Sequence, residues 1–170
     1  MSAAGPVPPR KVLVVGLGNP DRGDDGFGAR VVQDLAGRLP PGVSVRAYQG
    51  DVLNLIDAWT GFDALICVDA AAPMQSPGRV HRIDLAEEAL PRGMCFASSH
   101  AMGLAEAIDL ARTLGQAPGD VVVYAIEGVC FDTGRVLAPE VAAAVAPVAE
   151  RVIAEAGRLR SGHREAIPHA

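Results

Sequence analysis

The stretch that decides the fold is KVLVVGLGNPDRGDDGFGAR, Lys11 to Arg30. Its first half is a near-continuous apolar run, Val12 to Leu17, the pattern of a strand covered on both faces. Glycines follow at 16 and 18, then the adjacent pair Asp24-Asp25, then apolar residues at Phe27, Val31, Leu35 and Leu39. That fourfold spacing predicts a helix from about Asp25 to Pro40-Pro41-Gly42, where prolines and glycine stop it. A buried strand running through a tight turn into a helix is the opening unit of an α/β protein. Glycine-rich turns of this kind commonly bind phosphate, yet two carboxylates at the same turn repel it.

The rest of the chain repeats the alternation. VSVRAYQ reads as a second strand, VLNLIDAWTG as a short amphipathic helix ending at Gly61, and ALICVDAA as a third strand that stays apolar up to Asp69. GRVHRIDL alternates as an edge strand does. Leu104, Ile108, Ala111 and Leu114 mark a helix that ends at Gly115, and DVVVYAIEG is a fifth strand. The last helix starts near Pro139, a good first-turn residue, with Val141, Val145, Val148, Val152 and Leu159 as its apolar face. Pro147 lies inside that pattern and predicts a kink. The expectation is a single-domain three-layer α/β/α sandwich, with a mainly parallel five-stranded sheet and one antiparallel edge strand. The single α/β domain is expected over residues 11–160, with a flexible leader at 1–10 and a flexible tail at 161–170.

Composition narrows the function. The chain has 170 residues, 49% of them apolar, and a net charge of −5, which suits one folded domain and gives no nucleic-acid footprint. Cys67, Cys95 and Cys130 are widely spaced, odd in number and without a CxxC pair, so they read as buried free thiols in a reducing compartment. The stretch MSAAGPVPPR has no apolar core of signal-peptide length and no apolar run reaches the length of a membrane span, so a cytoplasmic location is expected.

In open α/β sheets the ligand site lies beyond the carboxyl ends of the strands. Aligning those ends gathers Asn19, Asp24 and Asp25 after strand one, Asp69 after strand three, Glu127 after strand five, and His100 just before the third helix. Carboxylates and an imidazole from separate elements suit a first-row divalent cation. Each has a structural alternative: Asp24 or Asp25 as a helix N-cap, His100 at the surface, Glu127 in solvent. His81, His163 and His169, on an edge strand and a tail, read as surface residues.

The opening turn fails as a dinucleotide fingerprint, because Asp21 stands where the third glycine of GxGxxG belongs. Its VGLGNP is similar to the start of peptidyl-tRNA hydrolases, but the segment that supplies that family's histidine and asparagine is replaced by Arg22-Gly23-Asp24-Asp25-Gly26. GLGNPDRGDDGFGARVV, LICVDAA, SSHAMGLAEAI and IEGVCFDTGRVLAPEV together, in order, resemble nickel-iron hydrogenase maturation endopeptidases, from about Lys11 to Leu159. The resemblance implies removal of a short C-terminal extension from the hydrogenase large-subunit precursor after nickel insertion. It places the nickel-contacting and catalytic residues at Asp25, Asp69 and His100, with nickel supplied by the substrate. It implies no nucleic acid or membrane partner, and we expect a monomer.

Three departures accompany the resemblance. Asp25 is one methylene shorter than the Glu frequent there, Gln49-Gly50-Asp51 replaces a common Gly-Thr pair, and Gly128 stands where proline is common. No Ser-His-Asp order, nucleophile elbow or HExxH helix is visible, which leaves carboxylates to activate water. The residues alone also admit a non-catalytic chaperone that binds metal and precursor at the same three positions.

Overall fold

In the computed structural model, which describes residues 5–97 and 103–162, the apolar run Val12–Leu17 forms β1 and is buried along its whole length. The sheet is completed by β2 (Val43–Tyr48), β3 (Ala64–Ala71), β4 (Val80–Asp84) and β5 (Asp120–Glu127) in the order β2-β1-β3-β5-β4. All neighbours run parallel except β4, which pairs antiparallel with β5 at one edge. The expected α/β sandwich with one antiparallel edge strand is the observed fold.

Side-chain parity divides the core into two layers. Leu13, Val15, Leu17, Leu65, Cys67, Val121 and Val123 pack against α2 (Val52–Trp59) and α3 (Leu104–Thr113). Val12, Val14, Ile66, Val68, Val122 and Tyr124 pack against α1 (Phe27–Leu35) and α5 (Val145–Ser161). The helix that follows β1 therefore lies on one face, while α2, which leads into β3, and α3, which leads into β5, lie on the other. This reversal opens the crevice between the carboxyl ends of β1 and β3.

Two helix expectations change. The first helix stops at Leu35 rather than running to Leu39, because Gly37 turns left-handed at φ 72°. The last helix is split into α4 (Pro139–Ala142) and α5, and Pro147 sits in the first turn of α5 instead of kinking an interior. A proline there offers no N–H to the carbonyl four residues back and its ring crowds that carbonyl, so the helix breaks at Ala143-Ala144. The thiols also differ from expectation: Cys67 is buried, Cys95 exposed and Cys130 intermediate. Among the described residues no helix is long and apolar enough to cross a membrane.

Candidate active site at the carboxyl ends of β1 and β3

The loop after β1 approaches its neighbours too closely for side chains. Gly28, in the first turn of α1, would place a Cβ 2.5 Å from the Leu17 carbonyl oxygen and 2.6 Å from that of Val68. Gly18 has φ +119°, and a Cβ there would sit 2.0 Å from the Asp25 carbonyl oxygen and 2.7 Å from its Oδ1. Only glycine admits this backbone and this contact. The chain then makes a 3₁₀ turn, Gly23–Gly26, before α1 begins. That turn buries both aspartates, Asp24 at 0% exposure and Asp25 at 2%.

The two neighbours do different things. Asp24 Oδ2 accepts hydrogen bonds from the backbone N–H of Val129 (2.7 Å) and Cys130 (3.0 Å), and its Oδ1 accepts from Ala138 (2.7 Å). It clamps the loop between β5 and α4 onto the turn. Asp25 Oδ2 accepts from the Asn19 N–H at 3.0 Å, while its Oδ1 is buried without a hydrogen-bond partner among the described residues. A buried carboxyl oxygen left so is costly in a folded chain. A cation would satisfy it, so the residue fits the expected metal ligand. Neither aspartate caps a helix: the 3₁₀ turn and α1 both lack a side-chain cap bond.

Asp69 lies on β3, fully buried, on the same face as Leu65 and Cys67. The β1–β3 register pairs Gly16 with Val68, so Asp69 stands beside the start of the Gly18 turn. Its Oδ1 accepts from the Ala70 N–H at 2.8 Å. Burial, reinforced by the Asp69 charge, pushes the Cys67 thiol well above its ordinary range and keeps it protonated. Strand parity points Asp69 to the face of α3, whose N-terminus follows the histidine segment. His100 itself, like His163 and His169, lies outside the described residues. Among the described residues no three metal-ligating side chains gather; Asp25 lies on the turn after β1 and Asp69 near the end of the adjoining β3.

Glu127 is not solvated. It is 1% exposed, and its Oε2 accepts from the N–H groups of Ser76 (2.8 Å), Gln75 (3.1 Å) and Met74 (3.4 Å). Its Oε1 meets His81 Nε2 at 2.8 Å, which corrects the surface reading of His81. This hydrogen bond from His81, with those three backbone donors and against the cost of burial, lowers the carboxyl pKa to about 2. Glu127 and Asp24 thus organise the loops around the crevice, and both are saturated by donors. No local sequence signal separates them from ligands, because their partners come from other strands' loops. Asp51 caps α2 by accepting the Leu53 N–H at 3.0 Å, so the position after Gly50 is used for helix initiation. Gly128 has no room for a side chain: a Cβ would lie 2.4 Å from the Phe131 ring.

Comparisons with known proteins agree with this fold. A sequence profile of the HycI hydrogenase maturation protease family matches residues 48–155. The hydrogenase expression/formation protein HupD of Thiocapsa roseopersicina is 28% identical over 84% of this chain, which spans 66% of that protein's length. The hydrogenase 2 maturation protease of Escherichia coli is 29% identical, covering 93% of this chain and 96% of that one. The solution structure of an endopeptidase from Escherichia coli superposes with a TM-score of 0.75 at 28% identity, over 93% of this chain and 97% of the other. The chain belongs to the hydrogenase maturation protease family.

Proposed function

We propose that this protein is an endopeptidase that removes the C-terminal extension of the nickel-loaded large-subunit precursor of a nickel-iron hydrogenase, and that it recognises the nickel carried by that substrate. The observation that supports this most is the buried Oδ1 of Asp25, without a hydrogen-bond partner among the described residues, on the turn after β1, with Asp69 near the end of the neighbouring strand β3. A buried carboxyl oxygen of this kind is costly alone and is relieved by a cation, which makes productive binding depend on the metal. His100, on the segment leading into α3, is the third ligand in this reading. Nickel then belongs to the substrate rather than to the resting enzyme, and cleavage reports correct loading.

The reaction is aspartic-type hydrolysis. A carboxylate of the Asp25–Asp69 pair takes a proton from water as the water oxygen bonds the scissile carbonyl carbon. The C–N bond then breaks and the proton passes to the leaving amine. His100 and the substrate's nickel orient the carbonyl. The enzyme works as a cytoplasmic monomer in this reading.

The test uses nickel-loaded and nickel-free precursor, with mass spectrometry for the released C-terminal fragment. Release from the loaded form only is the expected result. Equal release from both refutes nickel recognition. Binding without release from either identifies a non-catalytic chaperone and refutes the peptidase reading.

A further inference from the structure

The turn that carries Asp25 forms a groove with the loop between β5 and α4. Two adjoining hollows, about 200 Å³ and 210 Å³, share Arg30, Val136 and Leu137 as walls. The first is closed by Pro20, Gly23 and Gly26, residues of the same turn that carries Asp25.

The loop is fastened. Gly23 N–H donates to the Arg135 carbonyl (3.0 Å), Gly134 N–H to that of Asp21 (2.8 Å), and Ala138 N–H to Asp24 Oδ1 (2.7 Å). Yet this anchored backbone holds Val136 86% exposed. Arg30 and Arg135 are exposed beside it, and among the described residues neither has an acidic partner within 4 Å. The groove thus sets two guanidiniums, without acidic partners among the described residues, beside an apolar wall. Guanidiniums with free donors match carboxylates bidentately, and Val136 with Leu137 offers a dry contact between them. A nucleic acid would need a longer basic track than two arginines.

We propose that this groove docks an acidic segment of the substrate polypeptide, with carboxylates on Arg30 and Arg135 and an apolar side chain against Val136 and Leu137. The site rests on the peptidase reading and extends it: the metal end of the substrate meets Asp25 and Asp69, while a neighbouring segment is held in the groove beside the same turn. Asp24 couples the two, since its carboxylate ties the docking loop to the residue adjoining Asp25.

The test compares the wild type with Arg30→Glu/Arg135→Glu, Val136→Ser and Arg46→Glu, the last on the exposed edge strand β2 as a charge control. All are checked for wild-type melting. Initial rates of precursor cleavage give KM and kcat separately, and anisotropy with labelled precursor gives Kd. The double reversal is expected to raise KM and Kd about tenfold or more, with kcat within about twofold, and to abolish the salt dependence of KM. Val136→Ser raises KM severalfold, and Arg46→Glu leaves it unchanged. A double reversal with wild-type KM and Kd overturns the docking site. So does an Arg46→Glu effect of equal size, or a fall in kcat alone. If the wild type binds precursor without cutting it, the peptidase reading fails and Kd of the double reversal still decides the groove. If it neither binds nor cuts, both fail.

Discussion

Asp24→Asn and Asp25→Asn remove one charge each from adjacent buried residues, and the structure predicts effects of different size and sense. Asp24 satisfies three backbone N–H groups with two oxygens. An asparagine has one carbonyl oxygen. Placed toward Val129 and Cys130 it retains two bonds, but its NH2 then faces the Ala138 N–H, donor against donor. The lost bond to a charged acceptor costs about 1.5–3 kcal/mol, and the two retained ones weaken as the charge goes. The net loss is about 3 kcal/mol, which for a chain of this size lowers Tm by about 6–12 °C. Asp25 differs. Its Oδ2 keeps the Asn19 N–H, and the new amide nitrogen falls where Oδ1 has no partner. Removing an unpartnered buried charge leaves stability within about 1 kcal/mol of wild type or raises it. Precursor processing is lost in Asp25→Asn nonetheless. Urea denaturation followed by far-UV circular dichroism at neutral pH measures both. Equal destabilisation by the two substitutions, or an Asp24→Asn loss below about 0.5 kcal/mol, refutes the division of roles.

Further outcomes follow from other contacts. Glu127 has its pKa lowered from 4.5 to about 2, so its contribution to stability is complete above about pH 4.5 and is lost as pH falls from there toward 2. Glu127→Gln flattens that segment of a Tm-against-pH curve, and an unchanged slope would show that the His81 contact does not carry the effect. Gly128→Pro costs about 2–3 kcal/mol, because it deletes the N–H bonded to the Ala71 carbonyl (2.9 Å) and meets the Phe131 ring, and a stable variant would show that the ring moves freely. Gly18→Ala displaces Asp25 and abolishes processing, read by fragment mass; full activity would mean the turn tolerates a Cβ. His100→Ala abolishes processing of nickel-loaded precursor, read by fragment mass, with wild-type melting, and unchanged processing returns His100 to the surface reading.

The fold was legible in the sequence because its strands are buried on both faces. Val12–Leu17 is apolar throughout, Ala64–Ala71 is broken only by Asp69 two residues before its end, and Asp120–Glu127 carries charge only at its two ends. The helix ends were less legible. The apolar spacing that ran on to Leu39 describes a face, but backbone conformation at Gly37 sets the stop. The spacing from Val141 to Leu159 continues across a break, so both pieces show the core the same face while Pro147 interrupts the hydrogen-bond ladder between them.

The site was legible to the extent that it follows from topology. Parallel strands deliver whatever ends them to one edge, so Asp25 and Asp69 were placed together without any contact information. The same rule gathered Asp24 and Glu127, and there it had no power to discriminate. What separates a ligand from a clamp is whether backbone N–H groups from elsewhere reach it. For Asp24 those groups lie 105 to 114 residues away, on a loop with no periodicity, and for Glu127 they lie about fifty away. The saturated carboxylates hold the loops, and the unsaturated one is left with a need that the proposed function assigns to a substrate-borne cation. In that proposal stability and recognition are divided between neighbouring residues of one turn, and the clamp keeps the incompletely bonded partner in place.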